Sequence, residues 1–174
     1  MAVSKREAKP VLAVDIDGVV SLFGFEGPAA PDLRVGPPRG EFHLVDGMVH
    51  CISRSAGERL RRLSDTYELV WCSGWEDRAN DHLAQLLGLP QLPYLTFDGQ
   101  AEWGTAHWKL ASLERYARGR ALAWIDDSLD SSCFEWAQRR AEPTLLVPTD
   151  SERGLEQAHV EELEAWAGEG FPSQ

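Results

Sequence analysis

The sequence predicts a three-layer α/β fold, a parallel sheet covered by helices on both faces, with a β-hairpin flap after the first strand. Short continuous aliphatic runs alternate along the chain with stretches of three- and four-residue apolar periodicity. These are the patterns of doubly covered strands and of helices that bury one face. Residues 41–52 (EFHLVDGMVHCI) break the alternation with a central Asp46-Gly47, the strongest short-range signal for a two-residue type I′ hairpin.

Taken in order, residues 1–10 form a charged tail. VLAVDI (11–16) reads as a central strand, because aliphatic residues run unbroken up to the first carboxylate. The Gly/Pro-rich stretch 21–40 reads as an irregular loop. In the hairpin that follows, the register sets His43 opposite His50, on the other side from Phe42, Leu44, Val49 and Cys51. A helix follows through Ala56, Leu60 and Leu63, then a strand at 67–72 (YELVWC). Ser73-Gly74 opens a helix through Trp75, Ala79, Leu83, Leu86 and Leu87, which Gly88 stops. A weaker strand candidate at 93–97 precedes a helix through Ala106, Leu110, Leu113 and Ala117, which Gly119 stops. Strands at 121–125 and 144–147 flank a helix through Phe134 and Ala137, and a last helix runs through Leu155, His159, Leu163 and Trp166. Residues 11–168 therefore form a single Rossmann-like domain, with 169–174 as a tail.

Composition narrows the class. A chain of 174 residues fits one domain that buries roughly 70% of its unfolded surface, without a metal or disulfide staple. Cys51, Cys72 and Cys133 are odd in number and form no CxxC pair, so neither a disulfide nor a structural zinc is expected. The charged start and the short first apolar run exclude a signal peptide and a membrane span, and a cytoplasmic protein is expected. The formal net charge of -11 disfavours sequence-blind binding to nucleic-acid phosphates.

Carboxylates carry the functional signal. Asp15 and Asp17 stand where the first strand ends, and in open α/β sheets ligands bind at the carboxyl ends of strands. Asp126-Asp127 follow ALAWI in the same way. Four carboxylates brought together repel unless a proton or cation intervenes, and Mg²⁺ is the expected ion, since it binds through one or two carboxylates, waters and phosphate oxygens. Two further positions offer what a phosphate needs. Ser73-Gly74 supplies a hydroxyl and an accessible backbone at an expected helix start, and Lys109 supplies a cation near the start of another.

DIDGV at 15–19, the strand-ending Ser73, Lys109 and the Asp126-Asp127 pair together resemble the four ordered motifs of the haloacid dehalogenase (HAD) superfamily. WCSGWEDRAN (71–80), LGLP (87–90) and AWIDDSLD (123–130) are similar to the HAD domain of Swiss Army Knife RNA-repair proteins. The resemblance implies a phosphatase in which Asp15 is the nucleophile and Asp17 the general acid and base. It implies that Ser73 and Lys109 hold the phosphoryl oxygens, with Gly18 and Gly74 also touching substrate. Mg²⁺ would lie among Asp15, the Asp17 backbone carbonyl, Asp126 and Asp127. Which of Asp126 and Asp127 touches the ion stays open.

Each residue alone has a plainer reading: a turn for DxDG, a helix N-cap for Asp126-Asp127, a solvated charge for Lys109. Their order favours chemistry. A response-regulator receiver carries its paired acids before its phosphoacceptor, the reverse of this order, and Asp17 disfavours a dehalogenase. The flap histidines read as a polar face, Trp75, Trp103 and Trp108 as rim packing, and Arg34 and Arg39 as loop charges. The interval between Asp98 and Ala106 is too short for a cap domain and the one after Asp17 holds only a loop and the hairpin, so an essentially capless, open site is expected. Such a site suits a phosphate on something large, such as an RNA or DNA end. The alternative is a non-catalytic module of the same fold that binds a phosphorylated partner.

Overall fold

The structure is a computed structural model that describes residues 9–24, 40–99, 101–102 and 104–171. The first strand, β1 (Val11–Val14), is buried along its whole length, as its unbroken aliphatic run requires. β2 (Ser21–Leu22), β3 (Glu41–Val45) and β4 (Met48–Ile52) follow, then β5 (Glu68–Trp71), β6 (Leu122–Asp126) and β7 (Thr144–Pro148). A parallel sheet of order β5-β1-β6-β7 forms the middle layer, and an antiparallel sheet of order β2-β4-β3 forms the flap.

Among the described residues the α-helices are α1 (Arg54–Leu63), α2 (Arg78–Leu87), α3 (Leu110–Tyr116), α4 (Ser131–Arg139) and α5 (Gln157–Gly168). Alternate residues of β1 divide them into two layers. Leu12 and Val14 share a core with Leu60 of α1, Leu83 of α2 and Val160 of α5. Val11 and Ala13 share the other with Leu113 of α3 and Cys133 of α4. Fully burying each such aliphatic side chain contributes about 1.5–3 kcal/mol, so the period-two alternation of one strand fixes both faces. Local chemistry sets the helix ends: the Ser53 side chain accepts from the Ala56 N–H at the start of α1, and Gly88 closes α2 at φ +64°. At Gly57 α1 lies so close to α2 that a Cβ would meet the Leu87 carbonyl oxygen at 2.4 Å.

The hairpin has the expected register, with His43 opposite His50. Both turn residues take positive φ, +50° at Asp46 and +80° at Gly47, as a type I′ turn requires. Burial does not follow one face of the hairpin, since Cys51 is buried beside the exposed Phe42 and Met48 is exposed beside the buried Val45. Phe42, Leu44 and Val49 are 60%, 73% and 68% exposed, while Val45 and Ile52 are buried and the histidines are half-buried.

Four expectations need correction. The stretch 21–40 is not wholly irregular, because Ser21 and Leu22 pair with Ile52 and Cys51 and add a third strand to the flap. The strand at 93–97 shrinks to one bridge between Trp71 and Tyr94. Asn80 holds this segment through its side chain, which donates to the Leu92 carbonyl and accepts from the Leu92 N–H. The helix expected from Ser73 starts only at Arg78, because Glu76 sits at φ +49° and breaks the right-handed run. The helix expected from Ala106 opens as a 3₁₀ turn, His107–Lys109, before α3. Residues 25–39 with Arg34 and Arg39, and also Trp103, lie outside the described residues. Among the described residues, no helix is long and apolar enough to cross a membrane. The three cysteines are free and buried.

Candidate active site

Parallel pairing of β1 with β6 sets Val14 beside Ile125, so the next residues, Asp15 and Asp126, emerge side by side at the carboxyl edge of the sheet. The Asp15 N–H extends the ladder by donating to the Ile125 carbonyl at 3.0 Å. The 3₁₀ turn delivers Lys109 between the two acids, with its Nζ 2.6 Å from Asp126 Oδ2 and 3.1 Å from Asp15 Oδ1. All three side chains are buried, Asp126 completely. Ser73 follows β5 and is buried as well.

Asp127 completes the group. One oxygen each from Asp15, Asp126 and Asp127 can be chosen so that all lie within 4.8 Å of one another. The Ser128 hydroxyl donates to Asp127 Oδ1 at 2.9 Å, and the Ser128 N–H donates to Asp126 Oδ1 at 2.9 Å. Gly18, at φ +75°, makes room for the Asp127 carboxylate, since a Cβ there would lie 2.2 Å from Asp127 Oδ2. The plainer N-cap role is taken by Asp130, which accepts from the Ser132 and Cys133 N–H groups at the start of α4. Asp130 also accepts from the Thr105 hydroxyl, tying the Lys109 loop to the segment after β6.

Burial and charge oppose one another across this group. Burial raises the Asp126 carboxyl, the neighbouring Asp15 raises it further, and Lys109 holds it back. Burial also raises Asp127, against the Ser128 hydrogen bond. For Lys109, burial works against the charge, but Asp15 and Asp126 more than reverse it and the ammonium stays protonated. Among the described residues, Lys109 is the one cation paired with this group of three carboxylates, through Asp15 and Asp126. A hard divalent cation with oxygen ligands fits this donor set. The acidic group is compatible with metal binding.

Asp17 stands apart from that group. Its Oδ2 accepts from the indole N–H of Trp75 at 3.0 Å, and burial raises its carboxyl against that hydrogen bond. Trp75 meets the His50 ring edge-on, 4.9 Å between centroids, and His50 Nδ1 lies 3.0 Å from Ser21 Oγ. These partners were not legible in sequence as site groups, because Trp75 is 58 residues from Asp17 and reads there as packing. Gly74 is exposed, and a Cβ on it would rest 3.8 Å from Trp108. Trp108 itself packs on Phe97 at 4.7 Å, with the Lys109 ammonium 5.3 Å from its ring. The expected free helix end at Ser73-Gly74 is absent, and a turn occupies the place.

The arrangement sets a buried carboxylate against a fixed ammonium, puts a second, protonatable carboxyl two residues on, and gathers oxygens for a cation. Comparison with known sequences gives a match over residues 11–160 to the family described as the HAD domain in Swiss Army Knife RNA repair proteins. A search of curated proteins returns no match.

Proposed function

Because the chain belongs to the family of HAD domains in Swiss Army Knife RNA repair proteins, we propose that it is a Mg²⁺-dependent phosphomonoesterase working through an aspartyl-phosphate on Asp15. The observation that carries this reading is the buried Asp15–Lys109–Asp126 contact, with Asp17 held separately beside it.

An Asp15 carboxylate oxygen attacks phosphorus, the bond from phosphorus to the leaving oxygen breaks, and Asp17 gives that oxygen its proton. Asp17 then takes a proton from water as the water oxygen bonds to phosphorus and the Asp15–phosphorus bond breaks. Lys109 and Ser73 hold phosphoryl oxygens while charge develops, and the backbone at Gly18 and Gly74 lets substrate approach closely. Asp15, Asp126, Asp127 and the Asp17 backbone carbonyl would hold Mg²⁺, which when bound neutralises phosphoryl charge.

An essentially capless site, as the short interval between Asp98 and Ala106 suggests, suits a phosphate at the end of a large substrate, such as an RNA or DNA terminus. The net charge of -11 opposes an extended polyanion, so recognition would concentrate on the terminal group. Buried free cysteines suit a reducing, cytoplasmic setting.

Hydrolysis of an aryl phosphate and of a terminally phosphorylated oligonucleotide, with and without Mg²⁺, tests the proposal. Wild-type turnover that needs Mg²⁺ and is lost in Asp15→Asn is the expected result. A folded protein that binds phosphate but turns over neither substrate would be the non-catalytic module instead.

A further inference from the structure

Lys109 contacts Asp15 and Asp126, whereas the side-chain hydrogen bond that Asp17 accepts comes from Trp75. A carboxyl torsion is broad and roughly two-fold, and a free carboxyl would spread its two oxygens over many directions. The Trp75 N–H meets Asp17 Oδ2 at 3.0 Å. An indole N–H only donates, so it can fix that oxygen but cannot take a proton from it. Among the described residues no hydrogen bond engages Oδ1, which is the oxygen available for exchange.

The indole is itself held. Trp75 packs against the first core, and the His50 ring from the flap abuts it at 4.9 Å with 69° between planes. His50 is fixed in turn by the buried Ser21. The left-handed step at Glu76 keeps Trp75 in the turn ahead of α2.

We propose that Trp75 is a positioning residue for the acid–base carboxylate: its N–H pins Asp17 Oδ2, directing Oδ1 toward the leaving oxygen and then toward water, while His50 and Ser21 brace the indole from the flap. This rests on the phosphomonoesterase reading.

Trp75→Phe keeps an aromatic ring and removes only the donor. In Mg²⁺, its kcat/KM for phenyl phosphate, whose leaving group needs a proton, is expected to fall about tenfold or more, within the range general acids supply. For 2,4-dinitrophenyl phosphate, whose leaving group departs unprotonated, the loss is expected to stay below about threefold. In an Asp17→Asn background the difference between the two esters should not widen further. Equal losses on both esters would overturn the proposal, since a merely structural role would not discriminate leaving groups.

A second reading does not depend on turnover. Among the indole N–H signals of the seven tryptophans in a ¹H–¹⁵N spectrum, the one missing from Trp75→Phe is expected to move in Asp17→Ala. A signal that stays in place overturns the contact. If wild type hydrolyses no ester, the phosphatase reading falls while this signal still decides whether Trp75 holds Asp17.

Discussion

Replacing Lys109 with Met should destabilise the protein strongly, and more at high pH than at low. Met keeps most of the buried stem, so the change is mainly one of charge. It removes the cation lying 2.6 Å from a completely buried Asp126 and 3.1 Å from Asp15. Breaking a buried pair by removing one partner costs about 3–5 kcal/mol, because a buried charge is left uncompensated. For a chain of this length that lowers Tm by roughly 6–20 °C. The cost falls when Asp126 takes a proton. Its carboxyl already lies above the ordinary value, with Lys109 holding it down, so the variant raises it further. A group with a raised folded pKa loses its stability contribution as pH rises through that pKa. The deficit should therefore be smaller at pH 5, where roughly 1 kcal/mol of packing loss remains, and reach its full size at pH 8. Urea unfolding followed by tryptophan fluorescence at the two pH values measures this. A deficit under about 1 kcal/mol at pH 8, or one equal at both pH values, would refute the reasoning.

Gly18→Ala combines a positive φ with a Cβ 2.2 Å from Asp127 Oδ2. It should displace that carboxylate and weaken Mg²⁺ binding at least about tenfold, read by calorimetric titration, since a 1.4 kcal/mol loss is tenfold and local strain of 1–3 kcal/mol is usual. Mg²⁺ should raise Tm more at pH 7.5 than at pH 5, as thermal scans can show. Asp17, Asp126 and Asp127 are all raised, so the metal-free fold loses stability as pH climbs above the unfolded value of 3.8. A cation that binds only the folded carboxylates restores it. Gly57→Ala puts a Cβ 2.4 Å from the Leu87 carbonyl oxygen. Denaturant titration should show a loss of about 1–3 kcal/mol, as overpacking costs.

The parts of the site legible in sequence are those that the sheet itself positions. Asp15 and Asp126 are readable because an unbroken aliphatic strand must be central and parallel, and a polar residue ending it must sit at the carboxyl edge. Asp46-Gly47 is readable because only a few residues tolerate two successive positive φ angles. The delayed start of α2 is not, because Glu76 takes a left-handed conformation that its identity does not announce. Pairing of Ser21–Leu22 with β4 depends on a partner about 30 residues away, in a stretch whose local composition suggests only loop. The Trp75–Asp17 contact is tertiary in the same sense, and tryptophan has too many packing roles for its N–H to be assigned in advance.

The flap illustrates how local and global preferences can disagree in one element. Slipping the pairing by a single residue would exchange the faces of a strand, turning Phe42 and Leu44 inward and the imidazole of His43 outward. The exposed Phe42 and Leu44 would gain burial by such a slip, and the buried Val45 would lose it. What opposes the slip is the two-residue turn at Asp46-Gly47, with Asp46 also 3.4 Å from His82 and 3.6 Å from Arg78 on α2. The hairpin is therefore a frustrated element whose alignment is decided at its tip. Threonine or lysine at Phe42, Leu44 and Val49 would relieve the conflict and stiffen the alignment, whereas lengthening the turn by one residue would release it.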